Sequence, residues 1–98
     1  MGHFVVEYRD LGAADIREQK RPEHIGYRKN LGGALVLAGP LLDENDRPTG
    51  SLVILEANDH AAAKALAQQD PYVSFGAMRL ESIRRYRIAA IQPPTPKK

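Results

Sequence analysis

Residues 3–9 alternate, with Phe4, Val6 and Tyr8 on one side of the chain and Val5 and Glu7 on the other, which is the period of a β-strand. From Asp15 the period lengthens. Ile16, Lys20, Tyr27 and Leu31 fall in one narrow sector when successive residues are turned by ~100°, the mark of a helix. Pro22 lies inside this run and is expected to break or kink it, with a second segment starting at Pro22 or just after. Gly32-Gly33 then ends the helix. Residues 34–38 (ALVLA) form a short aliphatic strand that runs into Gly39-Pro40. Residues 43–50 (DENDRPTG) read as a turn-rich loop, and residues 51–57 (SLVILEA) as the third strand. Asp59 suits the N-cap of a helix over residues 60–69, whose Ala62, Ala65 and Leu66 are placed to face a sheet. Asp70-Pro71 stops that helix, because the residue before a proline is pushed out of helical angles. Residues 78–88 are the last strand, and residues 92–98 (QPPTPKK) read as a disordered tail.

The order β-α-β-β-α-β is the ferredoxin-like arrangement, an α+β fold with a four-stranded antiparallel sheet and both helices on one face. The chain has 98 residues, room for one domain, expected over residues 1–91. The first and third strands carry apolar side chains on both faces: Phe4, Val6 and Tyr8 with Val5 in one, Leu52 and Ile54 with Val53 and Leu55 in the other. An antiparallel sheet with one wet face normally alternates apolar and polar. A second apolar face left uncovered marks an interaction surface. Two sheets packed face to face in a homodimer are therefore expected.

Composition narrows the chemistry. At 43 % hydrophobic and 27 % charged, the chain is an ordinary globular domain. It has no cysteine, which removes disulfides, thiolate nucleophiles and cysteine-bound metals. The longest apolar stretch, residues 32–42, falls well short of the ~20 residues that span a bilayer. Arg9 and Asp10 interrupt the N-terminus before a signal-peptide core forms. A cytoplasmic, soluble protein is expected. The C-terminal end holds Arg79, Arg84, Arg85, Arg87, Lys97 and Lys98 against Glu81 alone, a footprint that can bind nucleic acid but more simply reads as a solvated strand face and a loose tail.

Three histidines are present. His3 and His60 read as solvated. His24 lies on the helical wheel between the apolar sector and a basic stripe of Arg17, Arg21 and Arg28. One ring nitrogen of a histidine so placed can sit in a packed pocket while the other faces a ligand, and histidine is the side chain that changes charge near neutrality. An ordinary half-buried histidine fits the same position. Asp70 is the second anomaly. At a helix C-terminus the dipole disfavours a negative charge by ~0.3–1 kcal/mol, which suggests a partner elsewhere, a histidine among the candidates. The alternative is that Asp-Pro is common punctuation after helices. Ser51 can donate to a ligand or within its own turn. No histidine pair has metal-ligand spacing and no phosphate-binding glycine loop occurs, so neither a metal nor a cofactor is expected.

In its ordered motifs the chain resembles the YciI-like (YCII-related) family. The matching elements are FVVEYRD from Phe4, RxxxRPEH at Arg17 to His24, LAGPLL at Leu37 to Leu42, GS at Gly50-Ser51 and DPY at Asp70 to Tyr72. The resemblance implies a dimeric α+β barrel and an active site built on a His and an Asp, here His24 and Asp70. It also implies, as one chemistry of the family, elimination of HCl from chlorinated hydroxyhydroquinones in aromatic breakdown.

Two functions follow. In the first, a cofactor-free lyase- or isomerase-like enzyme uses His24 as the base and Asp70 to orient it. Arg17 and Arg21 then hold a phenolate oxygen of a phenolic or quinone substrate, with Ser51, Tyr72 and Phe75 completing the pocket. In the second, the same pocket only binds a small ligand in a regulatory module. RNA binding on the sheet is excluded by residue type, since SLVILEA carries no aromatic on which a base can stack.

Overall fold

The computed structural model describes residues 1–92; the expected disordered tail lies, from residue 93 on, outside the described residues. Its elements are β1 (Gly2–Asp10), α1 (Ala14–Leu31), a 3-10 turn (Gly32–Ala34), β2 (Leu35–Leu42), β3 (Pro48–Ala57), α2 (His60–Gln68), α3 (Pro71–Ser74) and β4 (Met78–Tyr86). The strands form one antiparallel sheet in the order β2-β3-β1-β4. Helix α1 carries the chain from β1 to β2 and β3 fills the place between them, which is the ferredoxin-like α+β fold.

The core lies between the sheet and the helices. Phe4, Val6 and Leu55 are its largest fully buried side chains, each contributing about 1.5–3 kcal/mol by leaving water. Val53, Tyr8, Ala67, Tyr72 and Met78 extend it, with Ile16 and Leu31 of α1 packed against them. On α2 the buried side chains are Ala63 and Ala67, while Ala65, expected to face the sheet, is exposed. Alanines at that spacing let the helix lie close to the strands.

Three local readings change. Helix α1 is continuous through Pro22. Proline cannot donate to the Glu18 carbonyl, but both residues are on the exposed side, where solvent reaches that carbonyl. Strand β2 continues through Gly39-Pro40 because it is an edge strand, where the missing N–H of a proline is tolerated. The chain after Asp70 forms the short helix α3, with Asp70 at its N-cap and Pro71 in its first turn. Asp70 thus meets the favourable end of a helix, and the dipole argument for an unfavourable placement does not apply.

Candidate active site

Two tyrosines fix the chain that leads into Asp70. The Tyr8 hydroxyl donates to the Ala67 carbonyl at 3.2 Å, and that of Tyr27 donates to the Leu66 carbonyl at 2.8 Å. Both carbonyls belong to the last turn of α2, where the Leu66 oxygen also accepts the Gln69 backbone N–H at 3.2 Å. Burial, with the nearby Asp70 charge adding, pushes the Tyr27 phenol up to about 12. Burial raises the Tyr8 phenol further still. Both remain neutral donors.

Asp70 is 3 % exposed, and its Oδ1 accepts two hydrogen bonds, from the Tyr72 backbone N–H at 3.0 Å and from His24 Nδ1 at 2.8 Å. A carboxylate oxygen in this position accepts, so the ring nitrogen facing it is the one that carries hydrogen, the Nδ1–H tautomer. His24 is 9 % exposed. Its wheel position is a border, yet α3 covers that border and buries the ring. Among the described residues no buried side-chain nitrogen or oxygen lacks a partner, so Nε2, which has none, is reached by solvent.

Beside this pair lies a cavity of about 360 Å³ between α1, the β2–β3 strand ends and Tyr72. Arg17, Arg21, His24, Ser51 and Tyr72 all line it. Arg17 is held by Asp10 at 2.6 Å, and its guanidinium carbon lies 5.9 Å from the Tyr72 ring centre. The Ser51 hydroxyl donates to the Gly39 carbonyl at 3.4 Å. Phe75, expected as a pocket wall, is outside the lining and 54 % exposed, with the Lys20 ammonium 3.9 Å from its ring centre. The turn after α3 carries it away from the cavity.

Sequence reasoning did not place Asp10, Arg28, Pro40 or Met78 at the cavity, which they also line. Arg28 had a usable signal, since it stands four residues after His24 and so on the same helix face. The other three reach the cavity only through strand pairing. Among the described residues no group of three His, Asp or Glu side chains is arranged to hold a metal, and no helix is long and apolar enough to cross a membrane.

Fold and cavity define a small ferredoxin-like domain with a buried His–Asp pair opening on a basic pocket. Residues 1–87 match the YCII-related domain, and the chain belongs to that family. It is 37 % identical over 85 residues to Protein YciI of Escherichia coli O6:H1 and of Shigella flexneri, covering 76 % of this chain and 87 % of each relative. Among solved structures it is similar in fold to a 5-chloro-2-hydroxyhydroquinone dehydrochlorinase, TftG, from Burkholderia phenoliruptrix AC1100 in complex with 2,5-dihydroxybenzoquinone. That likeness has a TM-score of 0.73 at 24 % identity, over 87 % of this chain and 93 % of the other.

Proposed function

We propose that this protein is a small-molecule acid–base enzyme in which His24 moves protons and Asp70 holds it. The carrying observation is the 2.8 Å contact between His24 Nδ1 and Asp70 Oδ1 at the wall of a basic cavity. With Nδ1–H donated to the carboxylate, the lone pair of the neutral ring is on Nε2, the nitrogen open to solvent. Asp70 then stabilises the imidazolium once the proton has arrived. Arg17 and Arg21 offer positive charge to the phenolate oxygen left behind. A base so positioned contributes ~10²–10⁴-fold in rate.

The fold likeness to a dehydrochlorinase supports loss of HCl from a chlorinated hydroxyhydroquinone as the reaction. One hydroxyl proton passes to Nε2, and the ring's electron pair takes up a proton at the chlorine-bearing carbon. A second hydroxyl proton then leaves, and its O–H pair pushes through the ring to expel chloride with the C–Cl bonding pair. The sum is a hydroxyquinone and HCl. The ring supplies its own electrons, so the scheme uses no external oxidant and no cofactor. Incubating buffer-exchanged protein anaerobically with 5-chloro-2-hydroxyhydroquinone and measuring released chloride tests it. Chloride released by the wild type and lost in His24→Asn supports the enzyme. Saturable binding without chloride favours the ligand-binding module.

A homodimer through the sheet belongs to the same reading. On the face away from the helices Val5 pairs with Ile54, and Leu37 lies across from Ile54. Leu37 is 44 % exposed there. Around these apolar residues stand the Arg84–Glu7 contact at 2.9 Å and the His3–Glu56 contact at 3.4 Å. A second copy of this face would cover the apolar centre. Light scattering is expected to give twice the 10.8 kDa chain mass, and a species at 10.8 kDa at micromolar concentration overturns it.

A further inference from the structure

The cavity is more basic than proton transfer at His24 requires. Arg17, Arg21, His24 and Arg28 follow one another at helical spacing on a single stripe of α1, and all four line the cavity. The acids nearby are already engaged. Asp70 accepts from His24 and from the Tyr72 N–H, and Asp10 is paired with Arg17 at 2.6 Å. Among the described residues, neither Arg21 nor Arg28 has an acidic partner. Arg28 is also partly buried. A guanidinium withdrawn from water without a counter-charge is unfavourable, and a ligand that brings one removes that cost.

We propose that the substrate carries a carboxylate besides its reacting hydroxyl, and that Arg28 selects for it. This rests on the reading of the cavity as a substrate site and narrows the molecule it takes to a hydroxylated aromatic that bears a carboxylate in addition to the groups the proposed HCl loss uses. The unsubstituted chlorohydroxyhydroquinone is the more weakly bound member of that class. At about 1.5 Å rise per residue, Arg28 stands about 6 Å along the helix axis beyond His24. That interval suits the two ends of a substituted six-membered ring, with a hydroxyl at Nε2 and the carboxylate on the Arg28 fork. The planar guanidinium meets a carboxylate through two parallel hydrogen bonds, a geometry lysine does not reproduce. Pro40, Met78 and Tyr72 supply apolar wall for the ring faces. A neutral hydroquinone leaves Arg28 without a counter-charge.

Calorimetric titration of the full chain with hydroquinone and with 2,5-dihydroxybenzoate, which differ by one carboxylate, tests the assignment. The benzoate is expected to bind about tenfold to a hundredfold more tightly, the change carried by a hydrogen bond to a charged group. Arg28→Gln is expected to bring its affinity down to that of hydroquinone, and Arg28→Lys to recover only part of the gap. Equal affinities in the wild type, or an undiminished preference in Arg28→Gln, overturn the carboxylate assignment and leave the site reading standing. The site reading is read separately, from the loss of hydroquinone binding in His24→Asn. Hydroquinone binding that survives this substitution, or no binding of either compound, overturns both.

Discussion

The imidazole of His24 lies on the phenol ring of Tyr72, with ring centres 4.0 Å apart and planes inclined by 8°. The stack fixes the plane of the imidazole, and the bond from Nδ1 to Asp70 fixes its rotation within that plane. Tyr72 donates its backbone N–H to the same Asp70 oxygen that His24 reaches. One tyrosine therefore holds both members of the pair. Tyr72→Phe keeps the stack and is expected to leave turnover nearly unchanged. Tyr72→Ala frees the ring and is expected to cost about 3–5 kcal/mol of stability. Turnover at saturating substrate should fall more than KM rises, a split that steady-state kinetics reads directly.

Substitutions at the pair itself are expected to be strongly non-additive. His24→Asn retains an N–H donor for Asp70 and removes the proton-carrying nitrogen, so turnover should fall ~10²–10⁴-fold. His24→Ala is the poorer test: it leaves a buried carboxylate short of a donor, at a cost of about 1–3 kcal/mol. Asp70→Asn preserves an N-cap side chain for α3, yet loses the charge that stabilises the imidazolium. Turnover of the double variant should be close to that of His24→Asn alone, because the two residues act as a unit. Losses that multiply would show that they act separately.

Gly50 of β3 is paired with Arg9 of β1 and stands against its backbone. A Cβ there would lie 2.1 Å from the Tyr8 carbonyl oxygen, a backbone atom that cannot move aside without shifting the strand. Gly50→Ala is expected to destabilise the protein by about 1–3 kcal/mol, read as a lower denaturant midpoint. The shift would also displace Ser51, its neighbour in the cavity lining.

Alkaline stability should report the buried phenols. The Tyr27 hydroxyl holds its proton up to about 12 in the folded chain, against 10.0 for an ordinary tyrosine. Above pH 10 the unfolded state has lost a proton that the folded state keeps, so stability falls as pH rises between those values. Tyr27→Phe should remove part of this slope in urea unfolding between pH 9 and 12, the remainder coming from Tyr8. At neutral pH the same variant is expected to be about 0.5–1.5 kcal/mol less stable, from the lost bond to the Leu66 carbonyl. A slope unchanged by the substitution would contradict this account.

The order of elements was legible from period alone. A strand such as residues 3–9 and a helix such as α1 place side chains by local geometry, so Phe4, Val6 and Tyr8 announce a buried face without knowledge of what covers it. Edges and ends were less legible. Whether Pro22 breaks a helix depends on whether its orphaned carbonyl meets solvent, and whether Pro40 ends a strand depends on that strand being at the sheet edge. Neither is a property of the neighbouring sequence.

The same division runs through the site. The sequence by itself determined that His24 stands between an apolar and a basic stripe, because a helical wheel is fixed by a constant turn per residue. It also determined that Asp70 ends a helix, because proline follows it. That Asp70 begins a second helix was equally written in Asp-Pro, which is a helix start as much as a stop. Only the tertiary structure decided that His24 is buried, since α3 and its Tyr72 arrive from 48 positions away in the chain to cover it. It alone brought Asp10 to Arg17 and, among the described residues, left Arg28 without an acid, because charge pairing depends on which strand end meets which helix turn. Local periodicity sets the direction of a side chain, and chain crossing sets what it meets.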